Sequence, residues 1–392
     1  MPIRWVVLGV FVLSSALNYL DRQILAQLAP VLKAEFHLSN QDFGFVLSAF
    51  SILYAACAPF AGLFVDRAGL NRAASIAVAT WSLAGVGTGL VSGFAGLLGA
   101  RALLGLAESA GVPASGKAVR LYLKPEERAL GGAVSQLGLS VGSFLAPPIA
   151  TFLALWYGWR SAFILTGLLG FLWIPLWLAV AKRFPPRAEA QSGTTRGAAG
   201  ILRDSRLWAF ATANILGMAV YTLWSNWVTI FLMQTYSLKL VETPWLAGIP
   251  PLMAPLGGFF GGWISLRLVR RGMEAPKSRR MACLASAIAL LGTAVVPWMP
   301  SAGLATAAVA ISFFWASSYS VNLYALPLDV YGAEHAAFST SILTCAYGVL
   351  QALFSPVIGG MVDRYGFEPV CLLVAILPLV GTGVLKLAEK QQ

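Results

Sequence analysis

Charged side chains are scarce in this chain, at 11% of its 392 residues, whereas soluble domains carry about 25%. Hydrophobic residues make up 58% instead. A soluble protein of this length needs a far more polar surface. The shortage of charge therefore excludes the soluble globular classes and predicts an integral membrane protein.

Cysteine and histidine are also rare, with four and two residues. All four cysteines lie within apolar stretches, so they predict small buried packing residues and not a disulfide framework. The sequence also lacks metal-ligand spacing and a nucleophile–base pair. We therefore expect no enzyme activity, no metal site and no cofactor.

Long apolar runs are what the chain has in abundance. The first starts almost at the N-terminus and exceeds signal-peptide length, which predicts a retained helix. Twelve runs are long enough to span a bilayer as helices. Their predicted ranges are 5–29, 43–65, 73–94, 96–120, 129–156, 161–181, 207–235, 244–268, 281–299, 303–328, 335–362 and 368–387. The predicted class is therefore an all-α integral membrane protein.

The basic residues lie mostly in short loops between these runs. With the N-terminus inside, twenty of the 27 Lys and Arg residues fall on the cytoplasmic side and four on the opposite side. This asymmetry predicts cytoplasmic N- and C-termini. It also explains the net charge of +11 through membrane anchoring, so we expect no nucleic-acid partner.

A long polar stretch divides the runs into two groups of six. It predicts a cytoplasmic linker over 182–206, between an N-terminal bundle over 1–181 and a C-terminal bundle over 207–392. The segments 146–163 and 355–371 resemble each other, with a Pro and a Gly aligned at a constant offset. Two similar halves favour transport by rocking around a central site.

Four ionisable residues interrupt the apolar runs: Asp21 and Arg22 in the first, Arg101 and Glu108 in the fourth. On insertion scales each costs about 2.5–3.5 kcal/mol at mid-membrane. Arg101 and Glu108, with Gly105 between them, share one helix face. Asp21 and Arg22 point about 100° apart around their helix. The four charges sum to zero, so a paired cluster can be buried.

The ordered motifs resemble those of a known family. "GLFVDRAG" (62–69) and "YGWRSAF" (157–163) resemble loop signatures of the major facilitator superfamily. "NYLDRQ" (18–23) and "RALLGLAESAGVPASGKAV" (101–119) resemble the anion:cation symporter family within it. That family includes bacterial sugar-acid transporters and animal vesicular glutamate and sialic acid transporters.

The resemblance implies two six-helix bundles in the bacterial inner membrane, a monomer, and proton-coupled symport of an organic anion by alternating access. It implies protonation of Asp21 and Glu108, with Arg101 relaying between them. It also implies a substrate carboxylate on Arg22, with Tyr54 and Gln136 in the binding site.

The residues suggest the same coupling independently. If Arg101 can pair with only one acid, the other takes up a proton, and the resulting positive charge attracts an anion to Arg22. The alternative is a static network that only fixes helix packing. Proton-driven drug or metabolite export is the main rival function, because the fifth run carries a partial Gly- and Pro-rich exporter pattern, Gly138, Gly142, Pro147 and Pro148.

Two further sets of residues are candidates. Gly62, Asp66, Arg67 and Gly69 of "GLFVDRAG" predict a conformational latch, or alternatively a simple charged turn. Lys117 is expected to extend to the interface, with substrate contact as the alternative.

The C-terminal half offers neutral polar residues that suit a ligand with several oxygens, or else helix–helix hydrogen bonds. The candidates there are Tyr221, Trp224, Asn322 and Tyr347. Since no basic residue lies in the seventh run, a monocarboxylate such as a sugar acid is favoured over a dicarboxylate.

Overall fold

The structure, a computed structural model, describes residues 3–123, 127–185 and 201–389. The regular elements of this part are helices. In the first half of the chain they are α1 (Ile3–Gln27), α2 (Ala29–Phe36), α3 (Asn40–Ala68), α4 (Leu70–Leu90), α5 (Phe94–Glu108), α6 (Gly111–Tyr122), α7 (Arg128–Tyr157) and α8 (Trp159–Arg183). In the second half they are α9 (Ser205–Gly217), α10 (Ala219–Tyr236), α11 (Pro244–Gly248), α12 (Met253–Arg270), α13 (Ala275–Leu290), α14 (Ala302–Tyr365) and α15 (Glu368–Glu389). Three short 3₁₀ segments cover Leu240–Glu242, Pro250–Leu252 and Leu291–Trp298.

The described residues contain 12 candidate membrane spans, which confirms the predicted number and the all-α membrane class. The ends agree with the apolar runs to within several residues, because the spans follow hydropathy. Three spans consist of two helices each, α5 with α6, α9 with α10 and α11 with α12. Helix α14 contains two spans, Ala302–Tyr331 and Ser341–Tyr365.

The fourth span is broken next to a predicted site residue. Helix α5 ends at Glu108, and α6 begins at Gly111. Pro113 has no N–H to give the carbonyl of Ser109, and its ring crowds that carbonyl, which favours a kink or break in the helix there. The break therefore places Glu108 at a helix terminus.

Three of the sharp turns between spans depend on glycine. Gly69, Gly158 and Gly366 have φ of 77°, 81° and 77°, a region that side chains with a Cβ rarely adopt. Gly158 and Gly366 are the two aligned glycines of the predicted repeat, and each follows the end of a helix with a similar positive φ.

The chain divides into two compact units. One comprises Met1–Ser192 and Lys239–Gly248, and the other comprises Gly193–Leu238 and Ile249–Gln392. The short segment Lys239–Gly248 thus belongs with the N-terminal half and packs on α7. The boundaries of 181 and 207 stay a prediction.

Close backbone contacts position the helices of the first unit. A Cβ on Gly105 of α5 would lie 2.1 Å from the carbonyl oxygen of Phe50 on α3, and one on Gly142 of α7 would lie 2.2 Å from that of Ala16 on α1. Trp173 of α8 donates a 2.7 Å hydrogen bond to the carbonyl of Val10 on α1. These contacts hold α5 against α3 and α1 against α7 and α8, and α1 and α5 are the two helices that carry the four buried charges.

The core of the first unit is aromatic and alanine-rich. Phe11 lies edge-on to Trp173 and Trp177, whose rings stack with centroids 5.7 Å apart. The second unit has its own core around Leu207, Tyr319 and Leu343.

Candidate functional site

The structure brings the predicted ionisable residues of α1 and α5 together. Asp21, Arg101 and Glu108 are 5%, 2% and 1% exposed. Arg22 Nε donates to Glu108 Oε2 at 2.5 Å. A buried carboxyl group that stays ionised needs such a partner, because transfer of an isolated charge out of water is very costly.

Arg22 also lies over three aromatic rings. Its guanidinium carbon is 5.1 Å from the ring centre of Tyr19, 4.6 Å from that of Phe50 and 4.7 Å from that of Tyr54. The Phe50 and Tyr54 rings stack, with centroids 5.6 Å apart. Cation–π contacts and one ion pair therefore hold this arginine, while its side chain keeps 20% exposure.

Asp21 and Arg101 form no ion pair within the part of the chain that the structure describes. Thr166 of α8 lies in hydrogen-bonding reach of Asp21. Arg101 donates to Thr88 Oγ1 at 3.4 Å and lies 5.3 Å from the centre of the Phe163 ring, while its Nε is buried without a partner. Its charge interacts with both acids over longer range.

The ion pairing in the structure thus differs from the simplest interpretation of the sequence, in which Arg101 forms an ion pair with Asp21 or Glu108. The residue that contacts Glu108 is Arg22, because the Arg22 side of α1 faces the end of α5. Asp21, about 100° further round α1, lies near Thr166 of α8 instead.

A cavity of about 260 Å³ lies within the first unit beside this cluster. Arg22, Glu108, Tyr19 and Tyr54 line it. Hydroxyl and amide groups line it as well, from Ser14, Ser15, Asn18, Ser115 and Ser135, and the rest of the wall is mostly apolar. The cavity therefore combines the Arg22–Glu108 ion pair with several neutral polar groups.

The residues of the predicted latch lie away from this cavity. Asp66, near the end of α3, pairs with Lys117 of α6 at 3.2 Å, and Lys117 Nζ also lies 3.3 Å from the Val65 carbonyl. Lys117 therefore contacts α3 and does not line the cavity. Gly69 forms the turn into α4, Arg67 is exposed, and Gly62 has open space around it.

The candidates of the second unit take part in helix packing. Asn322 and Trp224 are both fully buried. Asn322 donates to the carbonyls of Gly261 and Ser318 at 3.0 and 2.9 Å. Tyr347 accepts a 2.9 Å bond from Gln351, and Tyr221 lies edge-on to Phe313. For Asn322, these contacts fit the alternative in which the residue forms hydrogen bonds between helices and does not bind a ligand. The side chain of Gln136 lies outside what the structure describes.

Sequence reasoning missed four residues of the site: Asn18, Tyr19, Phe50 and Thr166. Asn18 and Tyr19 were detectable, because they precede Arg22 by four and three positions and so share its helix face. Phe50 and Thr166 carried no such signal, since they lie on other helices. Among the described residues, no group of three His, Cys, Asp or Glu could hold a metal ion.

Comparison with known proteins gives consistent matches. The family model described as Major Facilitator Superfamily matches residues 11–349. A hexuronate transporter of Escherichia coli strain K12 is 27% identical over 98% of this chain and 93% of its own length. A galacturonate transporter of Dickeya chrysanthemi is 27% identical over 79% of this chain and 97% of its own length. A D-galactonate transporter of Escherichia coli O6:H1 is 25% identical over 96% and 94%.

Solved structures match over the whole chain. A bacterial homologue of the human lysosomal transporter Spinster, in an inward-facing and occupied conformation, gives a TM-score of 0.79 at 18% identity, covering 100% of this chain and 98% of that one. Its inward-facing, unoccupied form gives 0.76 at 19% identity, with 100% and 96% covered. At this level of identity the match concerns the fold alone.

Proposed function

Because this chain belongs to the major facilitator superfamily, we propose that it is a secondary transporter carrying a sugar acid or similar monocarboxylate together with a proton. The names of its sequence relatives support the substrate class, since they are hexuronate, galacturonate and galactonate transporters.

One observation carries the proposal. Arg22 is the cation that lines the cavity in the described part of the first unit. Its Nε is bonded to Glu108, and no other hydrogen bond of Arg22 is found among the described residues. The two Nη groups therefore remain for a carboxylate, which a guanidinium can bind with two parallel hydrogen bonds. Tyr19 and Tyr54, which line the same cavity, flank that position.

Charge balance supports the coupling to a proton. With all four groups ionised, the two arginines and two acids cancel. An anion on Arg22 would then leave the buried cluster one charge negative, which a low-dielectric site tolerates poorly. A proton on one acid restores neutrality.

Asp21 is the better candidate for that proton, because Glu108 is held by Arg22 whereas Asp21 has no ion pair in the described part. The other charges that act on Asp21 are those of Glu108 and Arg101. Asp21 would load first, the anion would bind next, and both would leave together. When the substrate departs, Glu108 would exchange its ion-pair partner. Arg101 would stabilise the acids while they are ionised. Five further residues stay proposed contacts of the substrate: Gln136, Tyr221, Trp224, Asn322 and Tyr347.

We extend the proposal to the whole carrier. Its two units would alternate access to the binding site, with residues 62–69 acting as a latch. The Lys and Arg asymmetry supports cytoplasmic termini, and the chain would work as a monomer in the inner membrane.

The test is uptake into proteoliposomes. We expect D-galacturonate or D-galactonate to accumulate when the outside is acidic, and accumulation to collapse when an ionophore removes the proton gradient. If a cationic dye is transported instead and neither sugar acid is, the chain is an exporter of the same fold and the proposal is wrong.

A further inference from the structure

The connection between α12 and α13, in the second unit, is strongly basic. Residues 267–280 contain six Lys or Arg residues and a single acid, Glu274. Arg279 pairs with Asp329 at 2.7 Å, and Arg280 also has an interaction partner. The other four are exposed and form no hydrogen bond or ion pair within the described part of the chain. This α12–α13 basic patch consists of Arg267, Arg270, Arg271 and Lys277. Like charges this close repel one another, so an anion that neutralises them is favoured there.

The backbone holds the patch in a thin layer. Only four residues separate the end of α12 from the start of α13, and Gly272 turns the chain between them with φ of 92°. Both helices belong to candidate membrane spans. Arg267 and Lys277 lie no more than three residues from the helix ends, which is about 5 Å along a helix axis. The headgroup region on each side of a bilayer is about 5–7 Å thick, so all four cations fall within it.

Each of the two helices also carries an exposed apolar face that leads to one of these cations. On α12, four apolar residues precede Arg270 at spacings of three and four. On α13, three follow Lys277 at the same spacings. Such spacings place the residues of each set on one helix face. All seven are between 43% and 61% exposed: Leu256, Phe259, Trp263, Leu266, Met281, Leu284 and Ile288. The cations therefore border surfaces that suit acyl chains.

Trp263 links the apolar face of α12 to the patch. The guanidinium carbon of Arg267 lies 5.2 Å from the centre of the Trp263 ring. Tryptophan is enriched at the level of the headgroups, because its ring is amphipathic. A guanidinium held over a ring keeps its N–H groups free for a phosphate, which it can bind with two parallel hydrogen bonds.

We propose that the α12–α13 basic patch is a binding site for an anionic phospholipid of the phosphatidylglycerol type. The phosphate binds the cations, and the acyl chains lie along the exposed apolar faces. A zwitterionic phospholipid fits less well, because its own ammonium group cancels the charge of its phosphate. A soluble phosphate lacks the chains. The patch is predicted to face the cytoplasm, where anionic lipids give the leaflet a negative surface potential. The proposal is independent of which substrate the carrier moves.

The test measures lipid binding to the full-length protein in detergent by native mass spectrometry. The probes are two phospholipids with the same palmitoyl and oleoyl chains, phosphatidylglycerol and phosphatidylethanolamine. Soluble glycerol phosphate serves as a competitor without chains. For the unaltered protein we expect phosphatidylglycerol to bind at least about tenfold more tightly than phosphatidylethanolamine. We expect glycerol phosphate not to displace it.

The site variant combines Arg270→Gln with Lys277→Gln. It should lower the affinity for phosphatidylglycerol by at least about tenfold and leave that for phosphatidylethanolamine unchanged, which also shows that the variant is folded. The matched control combines Lys182→Gln with Arg183→Gln. It removes the same two residue types from exposed positions at the end of α8, in the first unit, and should keep the preference for phosphatidylglycerol.

Four results would overturn the proposal and leave the proposed transport function standing. The first is equal affinity of the unaltered protein for the two lipids. The second is an equal loss of phosphatidylglycerol binding in the site variant and the control, since the effect would then follow from net charge. The third is displacement of phosphatidylglycerol by glycerol phosphate, which would indicate a site for free phosphate. The fourth is an equal loss of both lipids in the site variant, since the headgroup charge would then play no part.

Discussion

At the scale of single residues, Arg22 is held by two kinds of contact. An ion pair to Glu108 fixes its Nε, and three rings support the face of the guanidinium. Both depend on the planar shape of the group. Lysine has neither the planar fork nor the same stacking ability, so charge alone does not define this position.

The exchange Arg22→Lys should therefore weaken binding of a sugar acid by at least about tenfold, although the charge is kept. The control is Arg160→Lys, which also removes an arginine stacked on a ring, that of Trp159 at 4.3 Å, at an exposed position outside the cavity. It should bind normally. Equal affinities for Arg22→Lys and the unaltered protein in calorimetry would show that the carboxylate binds elsewhere.

The exchange Asp21→Asn should abolish accumulation against a gradient and retain exchange of labelled for unlabelled substrate. An amide cannot take up or release the proton, yet it keeps the site in its loaded charge state. Proteoliposome uptake with and without a pH gradient measures this. Glu35→Gln, an exposed acid paired with Arg160, is the control and should accumulate substrate normally. Undiminished accumulation by Asp21→Asn would remove Asp21 from the coupling.

At the scale of helices, one glycine determines how near α3 comes to α5. The carbonyl of Phe50 lies where a Cβ of residue 105 would be. This contact brings the Phe50 and Tyr54 rings over Arg22. A side chain at residue 105 must push two backbones apart, because no flexible side chain is there to yield.

We therefore expect Gly105→Ala to lower the free energy of unfolding by about 1–3 kcal/mol and to weaken substrate binding as the rings move from Arg22. Gly99→Ala is the matched control on the same helix, since its Cβ would meet nothing within 4 Å. Thermal unfolding in detergent compares them. Equal melting temperatures for both variants would show that the contact between residue 105 and the Phe50 carbonyl does not set the distance between α3 and α5.

At the scale of the whole molecule, the Lys and Arg asymmetry predicts the topology in the membrane. An alkaline phosphatase fused after Gln392 should be inactive, because the enzyme needs the oxidising periplasm and this terminus is expected in the cytoplasm. A fusion after Ser237, in the connection after α10, should be active. An active fusion after Gln392 together with an inactive fusion after Ser237 would show the opposite orientation, in which every loop lies on the other side of the membrane.

Much of the fold followed from composition and hydropathy. Twelve spans were predictable because only an apolar segment of about 20 residues can cross a bilayer with its backbone satisfied. The buried charges Asp21, Arg22, Arg101 and Glu108 and their places on α1 and α5 were visible because polar residues stand out against a hydrophobic background. The turn glycines were visible in the loop motifs and in the two similar segments.

The sequence by itself determined which residues share a helix face, since that depends only on the 3.6-residue period. Tertiary structure decided which faces meet. The rotation of α1 against α5 and α8 pairs Glu108 with Arg22 and sets Asp21 near Thr166. Packing in the second unit likewise turns Asn322 toward the Gly261 carbonyl. Such pairings depend on how each helix is rotated about its axis, and close backbone contacts between distant residues fix that rotation.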